Sequence, residues 1–106
     1  MNLDETILYS SLYNIYGELL TQKQQQIFDS YVFNNLSLAE IAENFEISRQ
    51  AVLDSVNKSC KQLKKYEQIL KVYKNNNKVK MFLEDLKENT GNQTLIKRID
   101  DLLDNL

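Results

Sequence analysis

Residues 37–61 decide the fold of this chain, and they read SLAEIAENFEISRQAVLDSVNKSCK. Apolar side chains recur at helical spacing from residue 38 onward, which predicts a short helix over residues 38–44. Ser37 and Glu40 form the S-x-x-E pattern of a capping box at the start of that helix. A link over residues 45–47 leads to a second N-cap at Ser48, so the next helix begins at Arg49. Two short-linked, capped helices predict a helix-turn-helix.

The second helix of this pair separates an inward side from an outward side. The inward residues, predicted to pack on the rest of the domain, are Ala51, Val52, Ser55, Val56, Ser59, Cys60 and Leu63. The outward residues are Arg49, Gln50, Leu53, Asp54, Asn57, Lys58 and Lys61. The first turns of a recognition helix reach base edges, while cations further along meet phosphates. Arg pairs with guanine and Gln with adenine through two hydrogen bonds each, which suits Arg49 and Gln50 to base readout.

The candidate nucleic-acid-binding residues are therefore Ser48, Arg49, Gln50, Asp54, Asn57, Lys58 and Lys61. A solvated face on an all-α domain would give the same pattern, and both interpretations stay open from the residues alone. Asp54 would repel phosphates unless it accepts a hydrogen bond from a cytosine amine or pairs with Lys58.

The distribution of charge favours nucleic acid more than the total does. The net charge of the 106 residues is −2, whereas nucleic-acid-binding domains are usually basic. Residues 1–47 hold one lysine against seven acidic residues, a charge of −6. Residues 48–80 hold nine basic against two acidic residues, a charge of +7, and residues 81–106 carry −3. Positive charge therefore begins with the proposed recognition helix, although lysines on a long helix also serve solubility.

Composition predicts an all-α, non-enzymatic protein. The chain has no proline and two glycines, and no segment alternates with the period of a strand. It has no histidine, and its one cysteine, Cys60, lies on an inward helix face. No phosphate loop is present, Asp100, Asp101 and Asp104 fit a solvated helix face, and no cofactor is expected. Without a membrane-length apolar run or a secretory signal, a cytoplasmic location without membrane insertion is expected.

Helices are also predicted on both sides of the motif. The first covers residues 3–16 and carries an apolar line including Leu19 beside a stripe of Tyr9, Tyr13 and Tyr16, which is typical of a domain or subunit contact. A capping box at Thr21 opens a helix over residues 22–33. The recognition helix continues past residue 63 until residues 75–77, three asparagines, break or kink it. Helices over residues 78–88 and 93–106 follow, divided by a turn at 89–92.

The prediction divides the chain into a helix-turn-helix domain at residues 1–64 and a helical extension at residues 65–106. Leucine and isoleucine recur at near-heptad spacing in the last helix, which suits packing against another helix. The extension would cover the long helix of its own chain or cross to a second subunit. A homodimer is favoured, because helix-turn-helix proteins often place two readers in this way.

From Leu20 through Val52 the chain resembles region four of bacterial sigma factors, with matching pieces at residues 20–21, 36–37, 40–42 and 47–52. It is too short for the other sigma regions. The length, the Ser-Arg-Gln-Ala-Val start of the reader helix and the tyrosine-rich first helix resemble the YlxM family of small helix-turn-helix proteins. The position that is often glycine in helix-turn-helix turns is Glu46 in this chain. If the turn needs a left-handed residue there, glutamate destabilises the turn by about 1 kcal/mol relative to glycine.

The YlxM resemblance implies a regulatory role in the signal recognition particle (SRP) pathway, with DNA or the SRP RNA as the nucleic acid. The alternative is an adaptor that kept the fold and binds the SRP GTPase or its receptor without contacting nucleic acid. The target sequence and the choice among DNA, RNA and protein are not fixed by any residue pattern.

Overall fold

The computed structural model describes all residues from 1 to 106. Its six α-helices are α1 (Leu3–Tyr16), α2 (Gln22–Phe28), α3 (Leu38–Phe45), α4 (Arg49–Leu70), α5 (Val72–Asn89) and α6 (Gln93–Leu103), and it contains no strand. The predicted all-α fold is confirmed. The chain divides into two compact units, Met1–Leu70 and Lys71–Leu106, whereas the sequence placed the boundary after residue 64.

Side-chain caps start the helices of the first unit where the sequence predicted them. Ser37 Oγ accepts a hydrogen bond from the Glu40 amide at 3.1 Å, and Glu40 Oε1 accepts one from the Ser37 amide at 3.2 Å. Thr21 and Gln24 form the same reciprocal pair at the start of α2. Because these bonds join residues three apart, the sequence alone fixes them.

Helix α4 packs against α1, α2 and α3, and the core lies along its inward side. Ile27 of α2, Ile41 of α3 and Val52 of α4 are each at most 1% exposed and belong to one cluster. Gln24 Nε2 of α2 also donates to Gln62 Oε1 of α4 at 2.8 Å. The two helices before α4 therefore contact its inward side from Val52 to Gln62.

Aromatic rings fill the space between α1 and α2. The rings of Tyr13 and Phe28 are stacked with centroids 4.5 Å apart, and Phe28 is fully buried. Burial raises the pKa of Tyr13 to about 12, with the Asp29 carboxylate adding to the shift. Tyr16 is also buried, and its hydroxyl donates to Glu67 Oε1 at 2.7 Å. Two members of the tyrosine stripe thus pack within this unit.

The end of α1 differs from the predicted apolar line. Gly17–Leu19 form a 3₁₀ turn, and this turn leaves Leu19 56% exposed while Leu20 is 5% exposed. Assigning Leu19 to the inward face was wrong. The tighter turn has three residues per turn, so it shifts the phase of the following side chains relative to an α-helix.

Helix α2 changes its winding before it ends. After Phe28, residues Asp29–Phe33 form a π-helical turn, in which the Asn34 amide donates to the Asp29 carbonyl at 2.9 Å. Asn35 then takes a left-handed conformation with φ of 53°. The helical segment therefore ends at Phe33 as predicted, but its last turn is wider than an α-turn.

Glu46 is the left-handed residue of the turn between α3 and α4, with φ of 55° and ψ of 43°. The next amide, of Ile47, donates to the Ala42 carbonyl at 3.0 Å, and Ile47 packs against the core. This is the bonding of a Schellman cap, in which glycine is usually found at the left-handed position. The turn is thus formed by a residue that is strained in it.

Replacing Glu46 with glycine is expected to raise the free energy of unfolding by about 1 kcal/mol, because glycine adopts positive φ without steric cost. Glu43→Gly is the matched control: it removes the same charge from an exposed position inside α3, where glycine costs about 1 kcal/mol. Urea denaturation followed by circular dichroism measures both. Destabilisation by both variants would contradict strain at Glu46.

The predicted break at residues 75–77 is wrong. Helix α5 runs through all three asparagines, and the long helix is interrupted earlier, at Lys71, where φ is 55° and ψ is 29°. Asparagine disfavours helix interiors by well under about 1 kcal/mol per residue. Val72 and Val79 lie seven residues apart on one side of α5, so the apolar phase is the same before and after the asparagines.

The second unit is a helical hairpin of α5 and α6. Its link, residues 90–92, lies within the predicted turn, and Asn92 caps α6 by accepting from the Leu95 amide at 3.1 Å. Lys87 Nζ lies 2.6 Å from Asp100 Oδ1, and this partner raises the pKa of the Lys87 amine. Ile99 is the one buried residue of this unit.

Candidate nucleic-acid interface

The first turns of α4 present their polar side chains to solvent. Ser48 Oγ accepts from the Ala51 amide at 3.0 Å, which starts the helix at Arg49. On the outward side, six candidate side chains are exposed: Arg49, Gln50, Asp54, Asn57, Lys58 and Lys61. On the inward side four residues are buried: Val52, Val56, Ser59 and Leu63. The division of this helix into two sides is as the sequence predicted, except that Leu53 is half-buried.

Two of the candidate residues are joined by a hydrogen bond. Gln50 Nε2 donates to Asp54 Oδ1 at 2.8 Å, across one turn of α4. The second hydrogen on Nε2 and the carbonyl oxygen of Gln50 remain available, and these are the two groups that pair with adenine. Asp54 therefore takes Gln50 as its partner in this structure, rather than the Lys58 considered from sequence.

An open groove of about 410 Å³ lies beside the exposed side of α4. Its walls come from the start of α2, with Thr21 and Gln24, and from α4, with Asp54, Lys58 and Gln62 among the lining residues. Lys58 is its one cationic lining residue. The groove thus brings one cation, one carboxylate and several neutral polar groups together next to the exposed side of the helix.

The exposed basic surface extends further than the candidate set. Lys64 and Lys65 are exposed, and at 100° per residue they fall on either side of Lys61 on the same outward side of α4. Helical phase alone would have included them, because α4 continues unbroken to Leu70. The outward basic face consists of Lys58, Lys61, Lys64 and Lys65.

Cys60 faces inward and is half-buried. Burial raises the pKa of its thiol from the usual 9.0 to about 11, and the negative charge of Glu5 adds to the shift. Because of this raised pKa, Cys60 is protonated near neutral pH. Its reactivity is therefore weak, since only the thiolate is nucleophilic.

Alkylation of Cys60 by iodoacetamide should therefore be about 100-fold slower at pH 8 in the folded protein than in urea, because each pKa unit changes the thiolate fraction tenfold. The folded-state rate should rise tenfold per pH unit until about pH 11. Mass spectrometry of quenched samples gives both rates. A folded-state plateau near pH 9 would contradict the shift.

Two further features bear on the kind of site this chain offers. No group of three or more histidine, cysteine, aspartate or glutamate side chains is placed to hold a metal ion. None of the six helices combines the length and hydropathy needed to span a bilayer. The exposed side of α4 carries five basic side chains against one carboxylate, that of Asp54: the basic residues are Arg49, Lys58, Lys61, Lys64 and Lys65.

Comparison with known proteins agrees with the helix-turn-helix. Residues 3–102 match the UPF0122 family, described as "Putative helix-turn-helix protein, YlxM / p13 like". A UPF0122 protein of Fusobacterium nucleatum is 39% identical over 103 residues, covering 97% of this chain and all of that protein. One from Ureaplasma parvum is 44% identical over 92 residues, covering 87% and 89% of the two chains. One from Halalkalibacterium halodurans is 36% identical over 104 residues, covering 98% and 95%. On these matches and its fold, the chain belongs to the YlxM/p13-like UPF0122 family of helix-turn-helix proteins.

Proposed function

We propose that this protein is a non-enzymatic regulator that binds nucleic acid through the outward side of α4. The observation that carries the proposal is the exposure of all six outward candidate side chains on a helix whose opposite side is buried. A ligand can therefore approach the helix without any change in the core. Family membership supports the same function class.

Geometry divides the roles along the helix. Arg49 and Gln50 lie in the first turn, where a recognition helix meets base edges. Lys58 and Lys61 lie about 14 and 18 Å further along α4, at a rise of 1.5 Å per residue, and are suited to phosphates. The hydrogen bond to Asp54 holds the Gln50 amide in one orientation, which lowers the entropy cost of pairing with a base.

Charge supports this division. Residues 48–70, which include α4, carry +3, whereas residues 1–47 of the same unit carry −6. A polyanion would be attracted to this part of the chain and repelled by the acidic remainder, which favours one binding orientation. The opposing acidic segments also account for a total charge below zero in a nucleic-acid-binding protein.

The proposal includes four finer points that rest on the resemblance and the helix pattern. The regulator acts in the SRP pathway, in the cytoplasm, on DNA or on the SRP RNA. It works as a homodimer, so that two α4 helices contact one ligand.

Fluorescence anisotropy with labelled duplex DNA and with the SRP RNA, each over 50–300 mM salt, tests the proposal. Binding that weakens with a slope of several units in log salt is expected for at least one of the two, because binding releases counterions from phosphates. Absence of binding to either at micromolar protein and 50 mM salt would overturn it.

The adaptor alternative is tested in parallel by co-purification with the SRP GTPase and its receptor, with and without nuclease. An adaptor would keep its partner after nuclease treatment and would give no anisotropy change. A nucleic-acid-binding protein would lose any such partner when the RNA is digested.

A further inference from the structure

The helical hairpin of α5 and α6 leaves large apolar side chains in solvent. On α5, Val79 is 45% exposed, Phe82 62% and Leu86 38%. On α6, Leu95 is 38% exposed and Leu102 57%. Ile99 alone is buried in this unit, so packing between α5 and α6 leaves these five side chains accessible to solvent.

These five residues lie on one side of the hairpin. At 100° per residue, Val79, Phe82 and Leu86 are displaced to one flank of the half-buried Leu83. Leu95 and Leu102 are displaced in the same rotational sense from the buried Ile99. Since a short link makes the two helices antiparallel, equal displacements fall on the same side of the pair.

The opposite side of the hairpin carries charged groups. The Lys87–Asp100 ion pair lies there, beside a groove that is lined by Glu84 and Glu88 and by the half-buried Ile96 and Leu103. The hairpin therefore has one side with charged groups and one side with exposed apolar residues, and we call the latter the apolar face: Val79, Phe82, Leu86, Leu95 and Leu102.

We propose that the apolar face is the contact surface of a homodimer, paired with the same face of a second copy of this chain. This surface is assigned to the homodimer that forms part of the proposed function. Its test measures molecular mass in solution and not nucleic-acid binding, so the dimer surface and nucleic-acid binding by α4 can fail separately.

The area of the face fits a dimer. Taking roughly 200 Å² as the full area of a large apolar residue, the five exposed fractions leave roughly 500 Å² per protomer. Two copies would bury roughly 1,000 Å² of apolar surface, and homodimer interfaces are about 65% apolar. With polar surface making up the remaining third, the total would be roughly 1,500 Å², the size of a standard specific interface.

The charges bordering the face fit a second copy better than a strongly charged partner. By helical phase, Lys78 and Asp85 border it on α5, and Arg98 and Asp101 border it on α6, all four exposed. Two cations and two carboxylates give this border no net charge. A two-fold interface must be complementary to itself, and a neutral border with both signs meets that condition.

Sedimentation velocity of the full chain from 1 to 200 µM tests the inference, with Phe82→Glu and Leu102→Glu as variants. The unmodified protein should sediment as a dimer at the higher concentrations. Each variant should raise the dimer dissociation constant at least 100-fold, because two copies of a charge would be buried opposite each other. Circular dichroism shows whether each variant keeps its helices.

Met81→Glu is the matched control. Met81 is 70% exposed on α5 and, at 100° per residue, lies outside the apolar face, so this variant should dimerise within about twofold of the unmodified protein. A monomer at every concentration would overturn the inference. So would a dimer that Phe82→Glu and Leu102→Glu leave intact, or one that Met81→Glu disrupts equally.

Discussion

Lys58→Ala combined with Lys61→Ala should reduce the slope of log affinity against log salt by about 1.8 units on duplex DNA. Each lysine that neutralises a phosphate contributes about 0.9 unit on duplex DNA and about 0.7 on a single strand. Loss of both contacts corresponds to roughly fiftyfold weaker binding at 0.1 M salt. Both side chains are exposed, so the fold should be unaffected.

The matched control for this pair is Lys23→Ala combined with Lys97→Ala. It removes the same charge from exposed positions on α2 and α6, outside the basic segment at residues 48–80. The control should leave the salt slope within about 0.3 unit of the unmodified protein. Equal losses in the two double variants would indicate attraction by total charge and would contradict phosphate contacts at Lys58 and Lys61.

Phe28→Ala should lower the free energy of unfolding by about 3–5 kcal/mol, the range for removing a large side chain from a protein core. The ring is fully buried and stacks on Tyr13, so its removal leaves a cavity between α1 and α2. Helix α2 also holds Gln62 of α4 through Gln24, so the orientation of the nucleic-acid interface depends on the same packing.

Phe33→Ala provides the comparison, because Phe33 contacts both Tyr13 and Phe28 but is 48% exposed. Its loss should cost about 1 kcal/mol, since about half of its apolar surface is already in water. Urea denaturation should show a much lower midpoint for Phe28→Ala than for Phe33→Ala. Similar midpoints for the two variants would contradict the central place of Phe28 in the core.

Local signals predicted the helix-turn-helix and most of the candidate site. The caps at Thr21, Ser37 and Ser48 are bonds between residues three apart, and the two sides of α4 follow from helical spacing. These interactions need no distant partner. The fold class and the exposed set on α4 could therefore be obtained from the order of residues.

The second half of the chain was harder to predict because its local signals are weak. Three asparagines indicated a break, but the penalty per residue is small and α5 continues through them. The left-handed residue at Lys71 has no glycine, proline or asparagine to mark it. Gln50 and Lys58 both lie four residues from Asp54, so helical spacing allows either as its partner. Charge favoured Lys58, whereas the structure joins Asp54 to Gln50.

The sequence by itself determined where α2, α3 and α4 begin and which side of α4 carries the polar groups, because capping and helical periodicity act between residues close in the chain. Only the tertiary structure decided that Leu20 rather than Leu19 is buried, that Tyr13 stacks on Phe28, and that the apolar side of the α5–α6 hairpin remains exposed. Burial depends on contacts between residues far apart in sequence, and no local pattern specifies which of several apolar side chains will find such a partner.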